Sequence, residues 1–307
     1  MILMLVCAVS FGLLAYGRQS VKNRREAVTK IESLGGSVEL DYEQPSSPYY
    51  LRSLLGDDSE GKVIGIDFNA SPDSDAWWLE VRHLPPIRNL RLGMGARKEG
   101  MIQLEGMTAL ENLCMDRSAV TDRELAFVEK LARLELLRLS NTNVSDAGLA
   151  HLANLKRLEI LSLNGTKITD AGLVHLAGLG RLQWLYLDNT EITGSGLLHL
   201  QGHDQLSLVY VEGSKIRDAE LVHLTGLPHL EDLDLSRTDV SDAGLIFLGK
   251  MKELKRLNLG ATKITDAGLK HLYGLRQLER INLDRTQVTE QGEREIQEAL
   301  PNTVVLR

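Results

Sequence analysis

Residues 158–181, LEILSLNGTKITDAGLVHLAGLGR, recur in altered form every 24 residues along the chain. Steps of 24 from Leu158 reach Leu182, Leu206, Leu230, Leu254 and Leu278, and backward steps reach Leu134 and Leu110. Numbered from that leucine, positions 1, 4 and 6 of each unit are apolar and position 9 is Thr or Ser. Position 11 is Ile or Val, and positions 16, 19 and 22 are mostly Leu. A fixed period of this kind specifies a stack of like units in which each touches only its neighbours. It overrides the one or two centred domains that a length of 307 residues would otherwise suggest.

Two weaker units precede the clear ones. Val63, Ile66 and Phe68 stand at positions 1, 4 and 6 of the first, with Trp78, Val81 and Leu84 at 16, 19 and 22. The second runs from Ile87 to Ala109, one residue short, and carries Ile87, Leu90 and Leu92. With the eight units from Leu110, the chain reads as ten repeats over residues 63–301 and a C-terminal cap strand over 302–307. Residues 18–62 read as a linker and N-terminal cap: a helix from Arg24 to Leu34, a Gly35-Gly36 stop, a strand over Val38–Tyr42 and a short apolar helix over Tyr49–Leu55. Residues 1–17, MILMLVCAVSFGLLAYG, are apolar and uncharged and are followed by Arg18, Lys22, Arg24 and Arg25. That length is at the lower limit for a bilayer span, so the run reads as a transmembrane anchor, with a cleaved signal sequence as the rival. The basic cluster behind it favours a single-pass protein with the repeats on the cytoplasmic side; a secreted or periplasmic chain is the alternative.

Within a unit, positions 3–7 alternate like a strand, with 4 and 6 facing inward and 3, 5 and 7 facing out. Successive strands pair in parallel, and a parallel pairing needs a crossover, which positions 12–22 supply as a helix. Ser145, Thr169, Ser241 and Thr265 read as its N-caps, each followed by an Asp facing the helix dipole. Helices are wider than strands, so the stack bends with the sheet inside. The fold class is therefore α/β: a solenoid with a curved parallel sheet on the concave side and helices on the convex side, preceded by a transmembrane helix.

The units resemble leucine-rich repeats, whose general signature is LxxLxLxxN/C, with Thr or Ser at position 9 where that family usually has Asn or Cys. The TDAGLxxL helix start resembles the sub-class found in ribonuclease inhibitors, in F-box proteins and in bacterial leucine-rich repeat proteins. The apolar run followed by REAVTKIESLGGSVELD (Arg25 to Asp41) resembles membrane-anchored bacterial members. The resemblance implies a scaffold that binds other proteins and is not an enzyme.

Residue chemistry points the same way. Histidines recur at position 18 (His151, His175, His199, His223 and His271), but the repeat dictates their spacing and no Cys, Asp or Glu converges on them at ligand spacing. No nucleophile with its base, phosphate-binding glycine loop or cofactor motif is present. Neither a metal nor a cofactor is expected. A net charge of −7 leaves no basic stripe for nucleic acid.

The informative positions are those that the repeat leaves free. Position 3 carries Leu136, Ile160, Trp184 and Leu208 in successive units, then Asp232 and Arg256. Position 5 carries Arg138, then Tyr186, Tyr210 and Asp234 in later units, and position 7 carries Asp188 and Glu212. Four apolar residues beside two tyrosines, with an acidic rim, read as an exposed patch on the concave face that binds a protein partner. A monomeric, membrane-tethered interaction scaffold is the expected function. The alternatives are a substrate-recognition subunit like the repeat half of an F-box protein, though residues 18–60 hold no convincing F-box, and a secreted ligand or glycan binder.

Overall fold

A computed structural model describes residues 19, 21–45, 61–68, 81, 84, 86–94 and 101–307. The expected anchor over 1–17, the short helix over 49–55 and Trp78 lie outside the described residues. Among the described residues, no helix is long and apolar enough to cross a membrane. The chain divides into two compact units, Met1–Ala119 and Val120–Arg307.

In the first unit, a helix over residues 21–33 buries Ala27 and Ile31. Strand β1 (Ser37–Pro45), longer than the sequence suggests, pairs antiparallel with β2 (Gly61–Phe68). Strand β2 pairs in parallel with β3 (Asn89–Leu92), and β3 with β4 (Asn112–Cys114). Val63, Ile66, Phe68, Leu90 and Leu92 are buried, as positions 1, 4 and 6 of the two weak repeats require. The antiparallel strand occupies the edge of β2 that a repeat stack would otherwise leave unpaired.

The second unit holds the regular repeats. Its strands are β5 (Leu136–Arg138), β6 (Ile160–Ser162), β7 (Trp184–Tyr186), β8 (Leu208–Tyr210), β9 (Asp232–Asp234), β10 (Arg256–Asn258), β11 (Arg280–Asn282) and β12 (Val304–Leu306). They pair in parallel in sequence order, each residue with its counterpart one repeat on: Ile160 with Trp184, and Trp184 with Leu208. The core is the repeated leucine set. In the repeat at 158, Leu158, Leu161, Leu163, Ile168, Leu173, Leu176 and Leu179 are all fully buried. At the position-9 hydroxyls, Thr142, Thr166, Thr190, Ser214, Thr238, Thr262 and Thr286 each donate to the carbonyl three residues back. Each hydroxyl thus satisfies a main-chain acceptor of its own repeat where the strand ends.

The outer side differs from the expected α-helices. It is built largely of 3₁₀ segments, such as Gly172–Leu176, Ser195–Leu200 and Asp218–Gly226. Elsewhere a short α turn precedes the 3₁₀ turn, as at Asp146–Leu149 and Ala150–Leu152. Only Asp242–Leu248 and the terminal Glu290–Ala299 are longer α-helices in this unit. The spacing of the buried leucines at 16, 19 and 22 is three residues, the period of a 3₁₀ helix, and an α-helix would rotate the last of them off the core.

The Asp of the TDAG motif also does something other than cap its own helix. It reaches into the following repeat. Asp146 accepts from the Thr169 N–H at 2.8 Å and the Thr169 hydroxyl at 2.6 Å. Asp122 does the same with Ser145, Asp218 with Ser241, Asp242 with Thr265 and Asp266 with Thr289. The Ser145 and Ser241 side chains accordingly make no cap bond of their own, whereas Thr265 also accepts from the Ala267 N–H. The motif's glycine exists for the same contact. A methyl group on Gly148 would lie 2.5 Å from Asp122 Oδ1, and one on Gly244 would lie 2.6 Å from Asp218 Oδ1.

One junction lacks this bridge, and all its parts change together. Gly194 stands in place of the Asp, Arg217 in place of the next Ser or Thr, and Glu220 in place of the next Gly. Gly194 adopts a positive φ of 107° and approaches the Glu220 side chain closely. The carboxylate one repeat earlier, Asp170, gathers more donors: the Thr193 and Ser195 hydroxyls and the Thr193, Gly194 and Gly196 N–H groups. Burial pushes the Asp170 carboxyl upward, but these bonds outweigh it and hold the group below its usual range.

Asp146→Ala leaves two part-buried donors of Thr169 unsatisfied and is expected to cost about 2 kcal/mol in chemical denaturation. Asp239→Ala, which breaks the exposed ion pair with Lys263, is expected to leave the denaturation midpoint nearly unchanged. Equal losses would show that the bridge between repeats contributes nothing special.

Candidate functional site

The outward positions of β7, β8 and β9 form a grid three residues deep and three strands wide. Register places Trp184, Leu208 and Asp232 in one row and Tyr186, Tyr210 and Asp234 in the next. Asp188, Glu212 and Ser236 follow two residues further on. Adjacent strands are about 4.8 Å apart, so row neighbours touch or shade one another.

Tyr210 is the centre of this grid. Its ring meets Tyr186 edge to face, with centroids 5.4 Å apart and planes at 83°. Its hydroxyl donates to Asp232 Oδ2 at 3.1 Å. Arg256 Nε donates to the same oxygen at 2.6 Å. Burial, then the charge of Asp232 and its hydrogen bond to the phenol, push the Tyr210 hydroxyl far above its ordinary titration.

Of the grid's carboxylates, two have cationic partners. Asp232 has Arg256, and Glu212 lies 3.8 Å from Arg237. The other two are held by neutral donors. Asp188 accepts from the Glu212 N–H at 2.9 Å. Asp234 accepts from Ser236 N–H at 2.8 Å, Ser236 Oγ at 2.6 Å and Asn258 Nδ2 at 2.7 Å. Burial, reinforced by the charges of Asp234 and Glu212, pushes the Asp188 carboxyl up to about 6; hydrogen bonds from Glu212 and Asn164 oppose the rise.

The twelve residues singled out in the sequence all stand on outward positions of β5 to β10 or just beyond their ends. They are not equally available. Trp184 is 41% exposed, whereas Leu136, Ile160 and Leu208 are half-buried. The expected row of four exposed apolar side chains therefore contracts to one exposed tryptophan with half-covered neighbours, because in-register side chains shade one another. Arg138 and Arg256 are exposed, and Arg138 acts electrostatically on the Tyr186 hydroxyl. Tyr186, Tyr210, Asp188, Glu212 and Asp234 are half-buried. Asp232 is buried, drawn down by Tyr210 and Arg256, so it belongs to the floor of the patch and not to its rim.

The position-18 histidines line the outer side singly. His151 pairs with Glu129 at 2.5 Å, and among the described residues no group of three or more His, Cys, Asp or Glu is placed to hold a metal ion. His203 takes a core leucine position, buried with its ring nitrogens facing the carbonyls of Leu200 and Leu176.

The outer side carries a second apolar feature that the sequence reading missed. Val174, Leu198, Val222 and Ile246 occupy position 17 of four successive repeats and are 42–46% exposed. The signal was the same three-residue period: with the leucines at positions 16, 19 and 22 facing in, position 17 of a 3₁₀ helix must face away.

Comparison with known proteins agrees with this architecture. Two family models, both described as leucine-rich repeat, match residues 132–192 and 226–249. Those two stretches are leucine-rich repeats by this comparison, and they lie within the run of 24-residue units. Among solved structures it is similar to internalin C2 of Listeria monocytogenes, at 25% identity over 67% of this chain and 82% of that one, with a TM-score of 0.54. It is also similar to the plant peptide hormone receptor RGFR1 in complex with RGF2, and to a TDR receptor, each at 16% identity over 74% of this chain. The TM-scores are 0.50 and 0.52, and the matches span 36% and 44% of those receptors, a likeness of fold alone. The comparison with curated proteins returns no match.

The raised Asp188 carboxyl has a consequence for stability. The folded chain holds this proton more tightly than an unfolded carboxyl near 3.8 does, so ionised Asp188 destabilises the fold above about pH 6 and ceases to do so below about pH 4. Asp188→Asn keeps the acceptor for the Glu212 N–H and is expected to raise the melting temperature at about pH 7.5, with no gain at about pH 4. A gain of the same size at both pH values would show that the charge is not what the substitution removes.

Proposed function

We propose that this chain is a non-enzymatic interaction scaffold that binds a protein partner on the strand face of β7 to β9, around Trp184, Tyr186 and Tyr210. The observation that carries this reading is an exposed tryptophan beside an edge-to-face tyrosine pair on the outward face of the sheet. Large aromatic side chains with a polar handle are the groups that dominate binding at interfaces. The strands and core that position them are rigid, so little conformational freedom is lost on association. In the same reading, residues 1–17 tether the protein to a membrane as a single pass, the basic residues after them keep the repeats on the cytoplasmic side, and the repeats act as a monomer. Recovery of mature protein beginning after residue 17 contradicts the tether.

A second reading places a partner on the outer side, along Val174, Leu198, Val222 and Ile246. The regular exposure of four aliphatic side chains favours it.

The two readings separate by mutation. Trp184→Ala with Tyr210→Ala is expected to weaken partner recovery from native membranes by at least about tenfold, while Leu198→Glu with Val222→Glu leaves it unchanged. The reverse pattern assigns binding to the outer side. Circular dichroism melts of both variants check that the repeats remain folded.

A further inference from the structure

The strand face carries an electrostatic imbalance that its own side chains do not resolve. Asp188 and Asp234 flank Tyr210, one on each side, and the charge of Asp234 acts on Asp188 through space. Both are half-buried, and among the described residues no Lys or Arg lies within salt-bridge distance of either. Burying carboxylates in part without a cation is unfavourable, and the cost is recovered when a cation arrives and excludes the remaining water. Tyr210 on the strand between them, with Tyr186 against it, adds an attraction of the same sign, since an aromatic ring draws a cation. Trp184 stands beyond, exposed and apolar, on the same face.

We infer that this surface takes a segment of a partner protein that presents a lysine or arginine next to an apolar side chain, with the cation between Asp188 and Asp234 and the apolar group against Trp184. The inference rests on the strand-face reading above and adds the chemistry of the occupant. Charge complementarity selects it. An acidic segment or a nucleic acid would bring like charge to a surface whose two uncompensated groups are both negative. A purely apolar segment would bury those carboxylates further without neutralising them.

The same geometry makes binding sensitive to acid. The groups that face Asp188 are Glu212, Asp234 and the Asn164 side chain, with Tyr186 alongside and Arg138 beyond it. Protonation of Asp188 below about pH 6 removes half of the anionic pair, so a bound cation is released as the pH falls through that range.

The probe is a random eight-residue peptide library, displayed on phage and selected against the full chain at about pH 7.5. The expected result is enrichment of Lys or Arg at one position beside an aromatic or aliphatic residue. Asp188→Asn with Asp234→Asn, which keeps the shape and one acceptor oxygen at each position, should weaken a selected peptide by at least about tenfold in fluorescence anisotropy, with a circular dichroism melt to check that the repeats remain folded. Lowering the pH to about 5 should weaken it likewise in the wild-type chain only. Enriched peptides that lose binding in Trp184→Ala with Tyr210→Ala but show no basic preference overturn the inference and leave the strand-face reading standing. Peptides indifferent to all four residues overturn both. A concentration-dependent dimer in sedimentation that Trp184→Ala abolishes makes a second copy the occupant and overturns the cationic segment.

Discussion

The carboxylate that leaves one repeat and binds the Ser or Thr of the next is the polar contact on which every junction of the regular repeats but one depends, and strand pairing alone keeps the register at that one. Apolar burial alone gives a stack but leaves its register loose, since one leucine layer packs on the next in several ways. The Asp146–Thr169 contact removes that freedom, because two hydrogen bonds to one carboxylate fix both distance and direction. Main-chain pairing of the short strands then brings each residue opposite its counterpart one repeat on. Side chains separated by 24 residues in sequence thus become neighbours in a row, and a row is what a binding surface on such a sheet is made from.

The missing bridge falls between the repeats that begin at Leu182 and Leu206, the pair that supplies Trp184, Tyr186, Leu208 and Tyr210. There Gly194, Arg217 and Glu220 replace Asp, Ser or Thr, and Gly as a set, and Asp170 gathers five donor groups just before the gap. The tyrosine pair bridges the same junction from the strand side. The two faces of this junction have therefore departed from the repeat together, and the strand side has done so with the side chains most suited to binding.

The fold was legible in the sequence to an unusual depth because each repeat reports the same information again. In the regular repeats before the last, positions 1, 4, 6, 11, 16, 19 and 22 read as core and are core, with His203 the one polar occupant. The terminal helix and strand and the strand near Val38–Tyr42 were visible from their patterns, but the antiparallel pairing of that strand with β2 was not. The type of outer helix is less legible, because a three-residue leucine spacing marks a helical stripe without by itself separating an α-helix from a 3₁₀ helix. The role of the TDAG aspartate is hidden in the sequence because a carboxylate in a first helical turn has a ready local explanation, whereas its partner lies 23 residues on. At the candidate site, alternation gave the correct face for all twelve residues but not their exposure. Shading by in-register neighbours, and the burial of Asp232 under Tyr210 and Arg256, are contacts between strands that no single repeat encodes.

The most direct test of the account places a photo-reactive benzoyl-phenylalanine at one position on each side of the same repeat, Leu208 on the strand face and Val222 on the outer side, and irradiates each full chain in native membranes. The account predicts one discrete cross-linked protein from Leu208 that excess unmodified chain competes away, and none from Val222. A competed product from Val222 with none from Leu208 would contradict it.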